Sequence, residues 1–278
     1  MRIDLKTGLL AAALAFGAAG AKAQSTKVED FESKTTMNLL GGFWYFYDDR
    51  TDSGSSVITT ADSVTGFWDT TTFAAGAQGS ASAIKLGFRF GAKDPKCGGT
   101  CTYSPMVGMG TNLMSGGGLD LTGATAISFW AKADAPLKLV FSVGTTEIKD
   151  NGNYAKLIPV SSSWSKYTVS LAPGAELKQP AWAKKVTFNP KECFSLGWQV
   201  SKSDNAGMAG SALYVDDVTV ENWVPPLDPS SLLRVSRGGS MRNGAQSPQA
   251  FTGRDGKRVD AMGRNRPVRR SASVPPTR

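Results

Sequence analysis

The sequence predicts an all-β protein, an antiparallel β-sandwich of the jelly-roll kind followed by a disordered basic tail. Three observations carry the prediction. Between residues 26 and 224, short runs of β-branched and aromatic residues are cut by Gly, Asn, Asp, Pro and Ser, the pattern of strands and turns. No stretch sustains a helical period between caps. After VPPLDP (224–229) the composition turns to Arg, Gly, Ser and Pro, with too few large apolar side chains to offset the entropy of ordering.

In chain order the expected strands are 27–32 (KVEDFE), 42–48 (GFWYFYD), 83–90 (AIKLGFRF), 106–112 (MVGMGTN) and 126–133 (AISFWAKA). They continue with 137–143 (LKLVFSV), 154–160 (YAKLIPV), 166–171 (KYTVSL), 196–201 (LGWQVS) and 212–221 (ALYVDDVTVE). Several alternate cleanly: Leu137, Leu139, Phe141 and Val143 share one face, as do Tyr167, Val169 and Leu171. Such a set of short strands packs as two antiparallel sheets, and the chain is long enough for a complete core. The row GGFWYFYDD (41–49) stands apart, because alternation sends its aromatics to both faces: Phe43, Tyr45 and Tyr47 to one, Trp44 and Phe46 to the other. One face is core, and the other is free to meet a ligand.

The ends of the chain differ from this body. Residues 1–23 combine a basic start, an apolar run and Ala21-Lys22-Ala23 before Gln24, the layout of a secretory signal peptide. No later run has the length of a membrane span, so export to the medium or the cell surface is expected, with no transmembrane segment after cleavage. The domain reading is therefore 1–23 signal peptide, 24–224 jelly-roll domain and 225–278 tail. The net charge of +8 conceals an asymmetry: from Arg234 to Arg278 there are 11 Lys/Arg against 2 Asp/Glu, whereas residues 24–233 carry 17 against 20. For an exported protein this tail points to an anionic surface as partner and not to nucleic acid. Cys97 and Cys101, separated by Gly-Gly-Thr, suit a small disulfide loop, which leaves Cys193 odd and buried. The chain has no histidine, which removes Ser-His-Asp, Cys-His and histidine–metal mechanisms. Dinucleotide and P-loop motifs are missing as well.

The order of several short motifs resembles carbohydrate-binding module family 11 and related galactose-binding-like, glucan-binding jelly rolls of secreted plant-fibre-degrading systems. These motifs are VEDFES (28–33), NLLGGFWYFYDD (38–49), LKLVFSV, the DNGNY loop (150–154), SSSW before a strand, FSLGWQV (194–200) and the closing ALYVDDVTVENW (212–223). The resemblance implies a concave aromatic groove for β-1,4 or mixed-linkage β-glucan, a structural calcium, and association with cellulases. The residues agree on the ligand type, since sugars offer CH faces to aromatic rings and hydroxyls to polar side chains. Of the aromatic row, Trp44 and Tyr45 are the preferred contacts, one meeting sugar and the other packed inside.

By the same resemblance, Asp150 and Tyr154 take the places of a sugar-binding aspartate and an aromatic, and Met106 falls where the family has a tyrosine. The loop AELKQPAW keeps Gln179 and Pro180 and supplies Trp182, but lacks the family's arginine and tyrosine. The calcium is expected between the first and last strands, from Asp30, Glu32, Asp216 and Asp217, because calcium gathers six to eight oxygens. The expected function is non-catalytic binding of plant cell-wall β-glucan in support of polysaccharide degradation. The alternatives are a β-glucanase with an unrecognised carboxylate pair and a non-binding structural surface protein.

Overall fold

The computed structural model describes residues 24–60, 70–97, 101–172, 174, 176–225 and the short segments 251–252 and 258–259. The signal-peptide reading lies outside the described residues. Two compact units divide the chain after Pro225. In the second, the described residues form one antiparallel strand pair, Phe251–Thr252 with Arg258–Val259, and the rest of the tail lies outside them.

The first unit is built from strands β1 (Thr26–Glu29), β2 (Trp44–Asp48), β3 (Val57–Ile58), β4 (Phe73–Ala74), β5 (Ala83–Arg89), β6 (Lys96–Cys97) and β7 (Cys101–Thr102). It continues with β8 (Met106–Asn112), β9 (Ala126–Ala133), β10 (Leu137–Thr145), β11 (Tyr154–Val160), β12 (Ser165–Ser170), β13 (Cys193–Ser201) and β14 (Gly210–Glu221). Short 3-10 turns join some of them, and among the described residues there is no α-helix and no helix long and apolar enough to cross a membrane. Each expected strand is present. The first ends early, at Glu29, and the chain turns at Phe31, whose φ of 58° is left-handed.

Two antiparallel sheets form the sandwich. One runs β12-β9-β14-β5-β3, with β1 also beside β14 and β4 beside β5; the other runs β11-β10-β13-β8-β2. The long strand β14 pairs with β5 through Gly210 to Val215 and with β1 from Val218, and its register against β9 shifts between Asp216 and Thr219. β6 and β7 form a separate small ribbon in which Cys97 stands opposite Cys101, while Cys193 is a free, buried thiol whose pKa burial pushes up to about 12.

The five-stranded sheet shows how alternation becomes architecture. Phe46, Met109, Trp198 and Phe141 are successive cross-strand partners on the inner face. Trp198 is fully buried and is the centre of the core, with ring centroids of Trp44, Phe129 and Phe141 at 5.3, 5.5 and 5.4 Å. These separations are those of favourable aromatic packing. The other sheet closes the core with Ile84, Leu86, Ile127, Phe129, Leu213 and Val215, all buried. The outer face of the five-stranded sheet is thereby left to the alternate residues.

Candidate functional site

On that outer face two cross-strand rows follow one another. Tyr47, Gly108, Gln199, Val140 and Leu157 form one; Tyr45, Gly110, Gly197, Ser142 and Ala155 form the next. Together they floor a groove of about 760 Å³ that reaches from the two tyrosines to Pro180 and Trp182. Met106, Asn153 and Asp204 also line it. The tyrosine rings stand 6.2 Å apart, and the Tyr47 hydroxyl lies 3.5 Å from Gln199 Oε1. Burial raises the pKa of both phenols, and at Tyr47 the neighbouring Tyr45 adds to it, so both hydroxyls remain protonated donors.

The far rim is a pinned loop. Lys178 and Ala155 exchange two backbone hydrogen bonds of 3.0 Å, which lays the loop along the free edge of β11. Gln179 donates to Gly152 O at 2.8 Å and accepts from Val186 N at 2.8 Å. Asp150 accepts from Lys184 N and Gly152 N, and these bonds hold its carboxyl below the usual range. The Tyr154 hydroxyl donates to Val186 O while its ring packs edge-on against Phe188. Glu176 is tied to Lys156 at 2.7 Å and to Ser170 N at 3.0 Å. The result is a hydrogen-bonded mount for Trp182, whose surface is 68 % exposed.

The structure therefore sorts the expected contacts into three groups. Tyr45, Met106 and Trp182 line the groove. Asp150, Tyr154 and Gln179 hold the rim that carries Trp182. Trp44 is corrected outright: it is 3 % exposed, stacked on Trp198 and tilted against Phe31 inside the sandwich. Tyr47 and Gln199 escaped the sequence reading. The signal available for Tyr47 was GMG at 108–110, whose two-residue period matches that of Tyr45 and Tyr47.

At the junction of β1 and β14 the four carboxylates expected to bind calcium do not converge. Lys27 Nζ lies 2.7 Å from Asp217 and 3.7 Å from Asp30, and a cation already serves that pair. Glu32 accepts from Ser80 Oγ at 2.7 Å and Ala81 N at 2.9 Å. Among the described residues no group of three or more His, Cys, Asp or Glu is placed to hold a metal. Two buried carboxyls remain. Asp216 accepts from Ala77 N at 2.8 Å, and burial pushes its pKa up to about 6. A turn closes over it at Gly76, where an added Cβ would meet Asp216 Oδ2 at 2.5 Å. Glu29 Oε1 accepts from Asp30 N and Phe31 N, and the Trp44 side chain also donates to this buried carboxyl.

One sheet of the sandwich thus carries an open groove floored by aromatic side chains. The chain is similar to carbohydrate-binding modules of family 11. It resembles that of the cellulosomal cellulase Lic26A-Cel5E of Clostridium thermocellum at 13 % identity, covering 74 % of this chain and 96 % of that one, with a TM-score of 0.44. It also resembles a family 11 module from Clostridium thermocellum solved with a β-1,3-1,4-mixed-linked tetrasaccharide, at 13 % identity, 70 % and 94 % coverage and a TM-score of 0.42. Among curated proteins it is similar to Endoglucanase 3 of Fibrobacter succinogenes (strain ATCC 19169 / S85), 23 % identical over 202 residues. That match covers 71 % of this chain and only 27 % of the endoglucanase. No protein-family profile matches the chain.

Proposed function

We propose that the chain binds plant cell-wall β-glucan, β-1,4 or mixed-linkage, along this groove without cleaving it, and so supports polysaccharide degradation. The observation that carries the reading is the pair Tyr45 and Tyr47 on the outer face, with Trp182 at the opposite rim and Gln199, Ser142 and Asn153 between. Ring faces pack on the CH faces of sugars, and the polar groups between them meet hydroxyls. From β2 to β11 is four strand spacings, about 19 Å, which suits a short oligosaccharide and not a single sugar. Electrophoresis through gels of mixed-linkage β-glucan, hydroxyethylcellulose, xylan and mannan tests it. Retardation in the glucan gels is expected, and unchanged mobility in all four refutes binding. Release of reducing sugar from either glucan replaces the reading with that of a glucanase.

Trp182→Ala is expected to weaken glucan retention several-fold with the thermal midpoint held, because an exposed side chain contributes little to folding, about 0.5 kcal/mol or less. Retention equal to wild type removes Trp182 from the site.

Calcium belongs to the same reading as a structural ion, held by Glu29 and Asp216 in preference to the exposed carboxylates. The buried carboxyls of Glu29 and Asp216 stand on paired strands and are the kind of oxygen donor that a hard cation takes. An ion present at a hundred times its Kd stabilises by about 2.7 kcal/mol. Chelation is therefore expected to lower the thermal midpoint by roughly 5–10 °C, reversibly on adding calcium. A midpoint indifferent to chelator and to added calcium removes the ion.

Export after Ala23 and a Cys97–Cys101 bridge complete the proposal, with the basic tail retained on an anionic surface. Intact-mass analysis of exported protein, expected to begin at Gln24 and to show one reactive thiol after denaturation, checks the first two. A product keeping residues 1–23 or showing three thiols contradicts them. Loss of envelope cosedimentation on deleting 226–278 checks the third, and undiminished cosedimentation rejects it.

A further inference from the structure

We propose that Gly108 and Gly110 are positioning residues of the groove: their missing Cβ atoms let Tyr47 and Tyr45 lie down across β8 as stacking platforms. The inference rests on the reading of the groove as a glycan site. A Cβ built on Gly108 would stand 2.2 Å from Tyr47 Cζ, 2.4 Å from its hydroxyl and 2.7 Å from Cε1. One built on Gly110 would stand 2.7 Å from the Tyr45 hydroxyl, 2.8 Å from its Cζ and 3.0 Å from the backbone oxygen of Leu196. In both cases the far end of the ring fills the space of the missing methyl group, and in both the glycine is the tyrosine's cross-strand partner.

The reach of Tyr47 points the same way. Its hydroxyl approaches Gln199 on β13, two strands away, with β8 between them. Two strand spacings amount to about 9.6 Å, which an upright side chain does not cover sideways. The ring must therefore lean over β8, and only a residue without a side chain leaves it that path. Laid down, the ring turns a face outward to the groove, which is what a sugar stacks on; upright, it presents its edge. Glycine within a strand weakens it and marks a site of close approach. Here β8 carries glycine at two successive outward positions, and the inward Met109 between them is fully buried.

Substituting Gly108 should move Tyr47 and leave the sandwich standing, because the obstructing atoms belong to the free end of a side chain that can swing toward solvent; at Gly110 the Leu196 backbone oxygen must also give by a few tenths of an ångström. Gly108→Ala and Gly110→Ala, made in the full chain, are each expected to weaken mixed-linkage β-glucan binding at least tenfold in calorimetric titration. The discriminating measurement is the double-mutant cycle. In a Tyr47→Ala background, Gly108→Ala should cause no further loss, and likewise Gly110→Ala in a Tyr45→Ala background, since the platform is already gone.

Wild-type affinity in the glycine variants, or losses that add to those of the tyrosine variants, overturn the proposal. A wild-type chain that binds no glucan defeats the glycan reading itself, a result plainly different from binding that survives the glycine substitutions. NMR supplies a check that needs neither ligand nor a folded variant. Hα resonances of Gly108 and Gly110 beneath the rings should be shifted upfield in the wild type, and unshifted resonances overturn the proposal.

Discussion

Replacing both Tyr45 and Tyr47 by alanine is expected to weaken β-glucan binding about a hundredfold while the chain remains folded. Buried aromatic anchors at the centre of a contact contribute about 1–2 kcal/mol or more each, and every 1.4 kcal/mol is tenfold in affinity. The two rings are half-buried on the outer face of the five-stranded sheet and make no part of the core between the sheets. Their loss therefore uncovers glycine backbone on the groove floor without opening a cavity inside. Titration with a mixed-linkage oligosaccharide measures the loss, and far-UV circular dichroism together with the thermal midpoint measures the fold. Binding that survives the double substitution places the ligand elsewhere. Collapse of the fold reassigns both rings to structure.

Trp44→Ala, one residue away, is expected to do the opposite. The indole is 3 % exposed, stacked at 5.3 Å on Trp198 and at 4.9 Å from Phe31. Removing a buried tryptophan leaves a cavity that a close-packed interior fills only in part, at a cost of about 3–5 kcal/mol. For a unit of this size that corresponds to a thermal midpoint lower by roughly 6–20 °C. Below the new midpoint, the affinity for glucan should fall less than threefold. A Trp44→Ala chain that melts like the wild type and loses its ligand would reverse the assignment of the two faces. Melting measured beside titration, on Trp44→Ala and Tyr45→Ala in parallel, separates a core residue from a surface platform within one strand.

The strands were legible because alternation is local. Leu137, Leu139, Phe141 and Val143 declare a half-buried strand within seven residues, and the structure buries all four. In the aromatic row the same period separates Phe43, Tyr45 and Tyr47 from Trp44 and Phe46, but it is symmetric, and both sets are apolar enough to be core. The sequence accordingly left Trp44 and Tyr45 as candidates of equal standing. Breaking that symmetry takes β8, more than sixty residues on, whose outward glycines admit rings on one side and whose Met109 packs on the other. The rim was illegible for a related reason. Asp150, Tyr154 and Gln179 are of the right kinds to hold a sugar, yet their hydrogen bonds are spent on one another's loops, which only the apposition of residues 150–154 with 178–186 reveals. The acids near β1 and β14 were likewise found as a cluster, but which of them are buried and which are paired with Lys27 depends on the register shifts in both strands.

By itself, then, the sequence determined an all-β body, its strand positions, the alternation of its faces and the change to a basic tail, since each follows from interactions among residues close in the chain. The tertiary structure alone decided which face of β2 looks outward and that Tyr45 and Tyr47 line the groove. It also decided that Trp44 belongs to the core and that the expected sugar contacts of the rim serve to hold Trp182. These are properties of cross-strand neighbours and packed layers, where the identity of a distant residue, down to the absence of a single methyl group, sets what a side chain can do.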